Sequence, residues 1–187
     1  LDGCFILSSK FYHFPGFKVC SAPTTNECAT SILEHLQIAH QESYLFLNQD
    51  HQAFVNMTVE DELKILKEFQ DSPSKLMLIA VENENQRVVG CLGFVGATAP
   101  FIKHQGQFGM SVQKSYQGRG VGKALLQTLL DILPQNGFTK VSLTVRTENV
   151  KAIKLYDKMG FRRVGIHERA ALIEGQYLDE YSYEKVL

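Results

Sequence analysis

Tyr116-Gln117-Gly118-Arg119-Gly120-Val121-Gly122-Lys123-Ala124-Leu125 decides how this chain of 187 residues is read. The stretch stands between a β-type run, Phe108 to Val112, and a segment whose apolar residues Val121, Ala124, Leu125, Leu129 and Ile132 recur at helical spacing. Glycines at three alternate positions let the backbone approach a ligand closely, and the start of the helix offers unpaired N–H groups with partial positive charge. The junction therefore reads as a site for phosphate oxygens. Spacing narrows the ligand. A Walker loop needs GxxxxGK followed by Ser or Thr, but here Gly118 to Gly122 is one residue short and Lys123 precedes Ala124, so ATP and GTP fit poorly. The dinucleotide pattern GxGxxG also fails, because the third glycine arrives one residue early and no early strand–helix unit precedes it. The pattern that fits is QxxGxG, at Gln117, Gly120 and Gly122.

Working outward, Pro134 and Gly137 close the helix, Val141 to Val145 alternates as a strand, and Asn149 to Met159 forms a second amphipathic helix ended by Gly160. Its apolar face is Ala152, Leu155, Tyr156 and Met159. Phe161 to Ile173 and Tyr177 to Val186 read as two last strands around the turn Glu174-Gly175. Upstream, Leu76 to Glu82 and Val88 to Val95 form a hairpin through Asn83-Glu84-Asn85-Gln86, and a glycine-bearing region from Gly96 to Gly106 leads into the strand at Phe108. Lys18 to Ala22 is a short strand. A helix follows from Asn26 to Gln41, and another runs from the capping box Thr58-x-x-Asp61 to about Gln70. Glu42 to Thr58 shows no clear period and reads as a loop or irregular helix over a pocket. The chain starts at Leu1 rather than Met, which reads as a trimmed or tagged start, with residues 1–17 an N-terminal extension of a single domain.

Composition excludes several classes of function. Nineteen Lys and Arg against twenty Asp and Glu leave a net charge of -1, so no overall positive field draws a nucleic acid or an anionic membrane. No apolar run is long enough for a transmembrane helix. Cys4, Cys20, Cys28 and Cys91 form no CxxC pair and read as reduced thiols of a cytoplasmic protein. His35 and His40 are five apart, off the i,i+4 spacing of a helical metal pair, so no metal is expected.

Gln117-x-x-Gly120-x-Gly122, followed after one helix and one strand by Asn149-x-x-Ala152-x-x-Leu155-Tyr156-x-x-x-Gly160-Phe161, resembles the Gcn5-related N-acetyltransferase (GNAT) family. The two motifs span Met110 to Phe161, and the strand order upstream is compatible. The resemblance implies an α/β fold of α+β type with a mixed, mostly antiparallel central sheet, helices on both faces, and a splay between the strands at Phe108–Val112 and Val141–Val145. It implies acetyl-coenzyme A as co-substrate. The backbone of Gly118, Arg119, Gly120, Val121, Gly122 and Lys123 would hold the pyrophosphate, and Met110, Ser111 and Val112 the pantetheine arm. Gln117, Asn149, Ala152, Tyr156 and Lys158 complete the implied contacts.

The resemblance also implies catalytic roles for Tyr156 and Asn149. Acyl transfer needs a proton donor at the departing thiolate, and Tyr156 matches the tyrosine that supplies it in many relatives. Asn149 would orient the coenzyme amide, cap the helix that follows, or do both. Backbone N–H groups of the strand at Phe108 would stabilise the oxyanion. The expected reaction is direct transfer to a primary amine of a small molecule or a protein N-terminus. The base is open: the strand Gln107-Phe108-Gly109-Met110-Ser111-Val112 lacks the carboxylate that many relatives carry, leaving Glu148, Glu174, Glu42 and His104. Cys91, inside a strand, reads as core rather than as a nucleophile. The rival reading from another class is a non-catalytic coenzyme A sensor, and a third reading is an ATP-dependent phosphotransferase. An exposed edge in the last hairpin suits a homodimer.

Overall fold

The computed structural model describes residues 12–47 and 54–187. Its strands are β1 (Tyr12–Phe14), β2 (Phe17–Ser21), β3 (Lys75–Glu82), β4 (Val88–Gly96), β5 (Gln105–Val112), β6 (Lys140–Arg146), β7 (Arg162–Ile173) and β8 (Gln176–Val186). Four helices are described: α1 (Asn26–Ser43), α2 (Val59–Asp71), α3 (Val121–Ile132) and α4 (Val150–Lys158). The strands make one sheet in the order β1-β2-β3-β4-β5-β6-β8-β7. All neighbours run antiparallel except β5 and β6, which are parallel over Gln105–Lys140, Gly106–Val141 and Gln107–Ser142. Past that last pair β5 continues to Val112 bonded only to β4, and β6 continues to Arg146 bonded only to β8. The expected splay is therefore present.

Alternation along the strands gives the sheet two faces. On one, Leu78, Leu92, Phe94, Phe108, Val141, Leu143 and Val145 pack against the stripe Val121, Ala124, Leu125 and Leu129 of α3. On the other, Ile79, Val81, Val88 and Cys91 meet Cys28, Ala29 and Ile32 of α1 and Leu66 of α2. The helices start where the sequence places them. Thr25 accepts from the N–H of Cys28, and Thr58 and Asp61 form the full reciprocal box at α2.

Two boundaries differ from the sequence reading. Residues 12–17, read as extension, belong to the sheet: Tyr12 pairs with Val19, and Phe14 stacks on Phe17 at 5.2 Å. Three residues are too few to show a period, and the hairpin turns through Gly16 at φ 85°. The rest of that extension, residues 1–11, lies outside the described residues, as does part of the loop at 42–58. β5 also begins at Gln105, inside the glycine-bearing region. A Cβ on Gly106 would stand 2.4 Å from the Phe94 ring, so glycine is there to admit an aromatic ring and not to break the strand.

Glu62 is buried at 2% exposure among these apolar groups, and burial raises its pKa from 4.5 to about 7. The folded chain thus holds this proton more firmly than the unfolded chain. Its contribution to stability is greatest below about pH 4.5 and declines as pH rises to about 7.

Two outcomes are expected. Gly106→Ala costs about 1–3 kcal/mol in denaturant unfolding, from forced overpacking against Phe94. Glu62→Gln gains stability relative to the parent as pH rises between 4.5 and 7, in melting temperatures taken across that range; a constant difference would refute the burial argument.

Candidate active site

The glycine loop leaves β5 through a short 3-10 turn, Lys114–Tyr116, and enters α3 at Gly120. Gly118 and Gly120 have φ of 78° and 87°, the left-handed region that only glycine occupies at little cost. A Cβ at either would meet nothing within 4 Å, so conformation and not crowding demands glycine there. Gly120 caps α3 with no side-chain hydrogen bond, which leaves the first N–H groups of the helix to a ligand. Gly122 sits in close quarters: a Cβ there would stand 3.3 Å from the end of the Leu155 side chain, 3.5 Å from Met110 and 3.8 Å from Val112. Those contacts bring β5, the first turn of α3 and the middle of α4 to one point. Gln117 ties the loop to its surroundings, donating to the Val112 carbonyl at 3.2 Å and accepting from Lys151 at 3.3 Å.

Charged residues of the loop are placed differently. Arg119 lies with its guanidinium 5.1 Å from the Tyr116 ring, while the Tyr116 hydroxyl donates to Glu82 at 2.5 Å. Lys123 and Lys158 share a shallow groove of about 570 Å³ between α3, α4 and the end of β8.

α4 carries the remaining motif residues. Asn149 Oδ1 accepts from the N–H of Ala152 at 3.2 Å, so it caps the helix. Ala152 is half-buried against the α3-side core. Tyr156 is buried at 6% exposure in an aromatic group, with Phe108, Phe161 and Tyr183 at ring distances of 6.1, 5.9 and 6.2 Å. Burial raises its pKa to about 12, so its hydroxyl stays protonated and can donate but not act as base. Phe108, Met110 and Val112 point to this face of β5, whereas Ser111 points to the other.

The structure separates the base candidates. Glu42 accepts from the Lys114 backbone N–H at 2.6 Å, and Glu174 accepts from the Tyr44 hydroxyl at 3.5 Å. His104 precedes β5, roughly 20 Å along the strand from Ser111 at the usual rise per residue. Glu148 lies exposed in the turn between β6 and α4, at the open end of the splay. Burial pushes the Cys91 thiol far up, which denies it the thiolate form that a nucleophile needs.

Sequence reading missed two polar groups on the α1 side. Nε2 of His35, fully buried, lies 2.8 Å from Ser111 Oγ, and burial, with His40 nearby, pushes its pKa down to about 4. Arg146 and Glu180, directly paired across β6 and β8, form a buried ion pair. Neither carries a motif. A Ser two residues before a loop and an Arg at a strand end become informative only when their neighbours are known.

A family model described as the acetyltransferase (GNAT) family matches residues 33–161. The chain belongs to this family. It is 32% identical over 117 residues to an L-amino acid N-acetyltransferase of Escherichia coli, covering 62% of this chain and 71% of that protein. It is 41% identical over 90 residues to an N-alpha-acetyltransferase of Mycobacterium tuberculosis, covering 47% of this chain and 54% of that one. The fold matches a GNAT-family acetyltransferase of Streptococcus pneumoniae with a TM-score of 0.83 and 25% identity, over 91% of this chain and 99% of the other. A Salmonella typhimurium protein solved with its cofactor acetyl-CoA shares the fold at a TM-score of 0.75 and 18% identity, over 92% and 94% of the two chains. The GNAT chain described here is an acetyltransferase that uses acetyl-coenzyme A.

Gly120→Ala forces a side chain into the left-handed region at the head of α3. It is expected to weaken acetyl-coenzyme A binding about tenfold by calorimetry, the equivalent of about 1.4 kcal/mol of strain and lost backbone contact.

Proposed function

We propose that the chain transfers an acetyl group from acetyl-coenzyme A to a primary amine, of a small molecule or a protein N-terminus, by direct attack in a ternary complex. The observation that carries this reading is the unpaired edge of β5 beyond Gln107, lying between an uncapped helix start and a buried, protonated tyrosine. The named relatives act on amino acids and on protein α-amines, which supports both acceptor types.

The residues present fit the coenzyme. Backbone N–H groups of Gly118 to Lys123 would hold its pyrophosphate, with positive charge from Arg119, Lys123 and Lys158 near the phosphates. Met110, Ser111 and Val112 expose peptide groups along the β5 edge for the amides of the pantetheine arm, and Gln117 and Ala152 shape the channel beside it. When bound, the coenzyme supplies an acetyl thioester open to attack by an amine. Backbone N–H on β5 would bind the carbonyl oxygen as it gains charge. Tyr156 donates a proton or a hydrogen bond to the sulfur, and Asn149, by capping α4, fixes the turn from which Tyr156 reaches. Glu148 is the candidate base that stands at the open end. A cytoplasmic site of action is part of this reading, as is a homodimer formed through the outer edge of β7, where Val164, Ile166 and Leu172 are exposed.

Tyr156→Phe is the decisive variant. Thiol release from acetyl-coenzyme A with a responsive amine should fall by roughly a hundredfold in kcat, the lower range for a general acid, with acetyl-coenzyme A affinity unchanged. Binding without turnover on a broad panel of amines and peptides by the parent protein would transfer the reading to a coenzyme A sensor.

A further inference from the structure

Backbone direction along β5 fixes which of its groups meet the splay. The Ala97 N–H donates to the Gln105 carbonyl at 2.9 Å and the Gln113 N–H to the Val89 carbonyl at 3.1 Å, in one unbroken register between β4 and β5. In an antiparallel pair such bonded positions alternate with unbonded ones, so the odd-numbered residues of β5 turn their N–H and C=O to β4. Phe108, Met110 and Val112 turn theirs the other way, into the gap that opens after Gln107. One of these groups is already taken. Gln117 Nε2 donates to the Val112 carbonyl at 3.2 Å, and Lys151 Nζ donates to Gln117 Oε1 at 3.3 Å. A carbonyl only accepts and an ammonium only donates, so the two partners between them fix which way the Gln117 amide faces. Gln117 lies in the loop that leaves β5, and Lys151 is in the first turn of α4, which follows β6. Two hydrogen bonds in series thus join the segments that leave the two parted strands.

The bridge is weak and its outer member is underused. The bond from Lys151 is exposed, so water competes for both of its ends. Among the described residues Lys151 is in no ion pair, although Glu148 stands three positions before it. Its charge is therefore available to an anion beside Gln117, the residue that precedes Gly118 and the open N–H groups at the head of α3. A phosphate oxygen offers an ammonium a charge-assisted bond about twice as strong as a neutral one, so a phosphate wins Lys151 from the Gln117 amide. Gln117 then loses the partner that orients it. The Val112 carbonyl, whose bonding direction lies in the plane of the gap, is released to an amide N–H of a ligand arm laid along β5.

We propose that Lys151 makes the chain selective for the full coenzyme, by holding Gln117 over the edge of β5 until a phosphate group draws the lysine away. A pantetheine arm alone carries no phosphate and meets a closed edge. The recognising chemistry is a phosphate group, which the coenzyme offers both as its 3′-phosphate and as its pyrophosphate. The proposal rests on the placement of the coenzyme given above. To that placement it adds a residue at one of the unspecified positions of the Asn149–Phe161 motif, and a use of the Gln117 side chain that depends on that residue.

The test is equilibrium binding with no acceptor present, in the parent and in Lys151→Met. Calorimetry follows coenzyme A and 3′-dephospho-coenzyme A, and shifts of backbone amide resonances follow pantetheine at millimolar concentration. Loss of the lysine should move the two kinds of ligand in opposite directions. Coenzyme A should bind about fivefold more weakly and pantetheine about threefold more tightly. Gln117→Ala opens the edge from the other side and keeps the lysine, so pantetheine should gain as much there and coenzyme A should lose less than in Lys151→Met. Lys151→Arg should restore coenzyme A affinity to within about twofold of the parent. With those opposite movements seen, equal binding of 3′-dephospho-coenzyme A by parent and Lys151→Met assigns the drawing group as the 3′-phosphate, and the same loss with this ligand assigns the pyrophosphate. Weaker coenzyme A with pantetheine unimproved or unseen in both variants makes Lys151 an ordinary phosphate contact and overturns the proposal. An unchanged affinity for coenzyme A in Lys151→Met also overturns it, and either result leaves acetyl transfer standing. Failure of coenzyme A to bind the parent at all defeats the placement of the coenzyme, and this proposal with it.

Discussion

Everything in this molecule depends on the point at which β5 and β6 stop bonding to each other, after Gln107 and Ser142. Each strand keeps a complete ladder on its other side, β5 with β4 as far as Val112 and β6 with β8 as far as Arg146. Two well-held half-sheets with their own twist can diverge where nothing demands that they stay together. The cost is a pair of inner edges whose N–H and C=O groups lack strand partners, a state that folded proteins avoid unless something else meets them. A ligand arm containing amide groups meets that need. Under the proposed reading the splay is thus both a structural weakness and the binding site, with α3 and α4 arranged around it.

Burial is distributed unevenly about that gap. The α3 face is closed by large apolar side chains and by the aromatic group around Tyr156. The α1 face instead buries His35, Glu62 and the Arg146–Glu180 pair beside its smaller apolar cluster. Buried polar groups are expensive, and a face meant only for stability would not collect them. The two faces thus differ in character, one closed by the aromatic group around Tyr156 and the other holding buried polar groups beside its smaller apolar cluster.

The parts legible in the sequence were those where one backbone requirement dictates residue type. Gly118 and Gly120 are needed for positive φ, so loop and helix could be read together. The face of α4, the box at Thr58 and Asp61, and the splay itself followed from period or from family resemblance. What escaped notice depends on distant neighbours. Gly106 looks like a strand breaker until Phe94 is seen against it. His35 and Ser111 are 76 positions apart, and Arg146 and Glu180 are 34 apart. Tyr12 to Phe14 is too short for any period to show.

One contact bears on how such a scaffold can change its substrates. Glu42, at the end of α1, accepts from the backbone N–H of Lys114 at the start of the turn that becomes the glycine loop. Beyond this carboxylate the chain enters the connector to α2, and behind it stands the helix that carries His35. A connector exchanged between homologues to alter acceptor choice would have to be spliced after position 42, or bring its own carboxylate to the same spot. Otherwise the glycine loop loses an anchor, and a change made in the connector is felt at the head of α3. In this fold the modular unit for recombination is the connector alone, with the last turn of α1 belonging to the supports of the glycine loop.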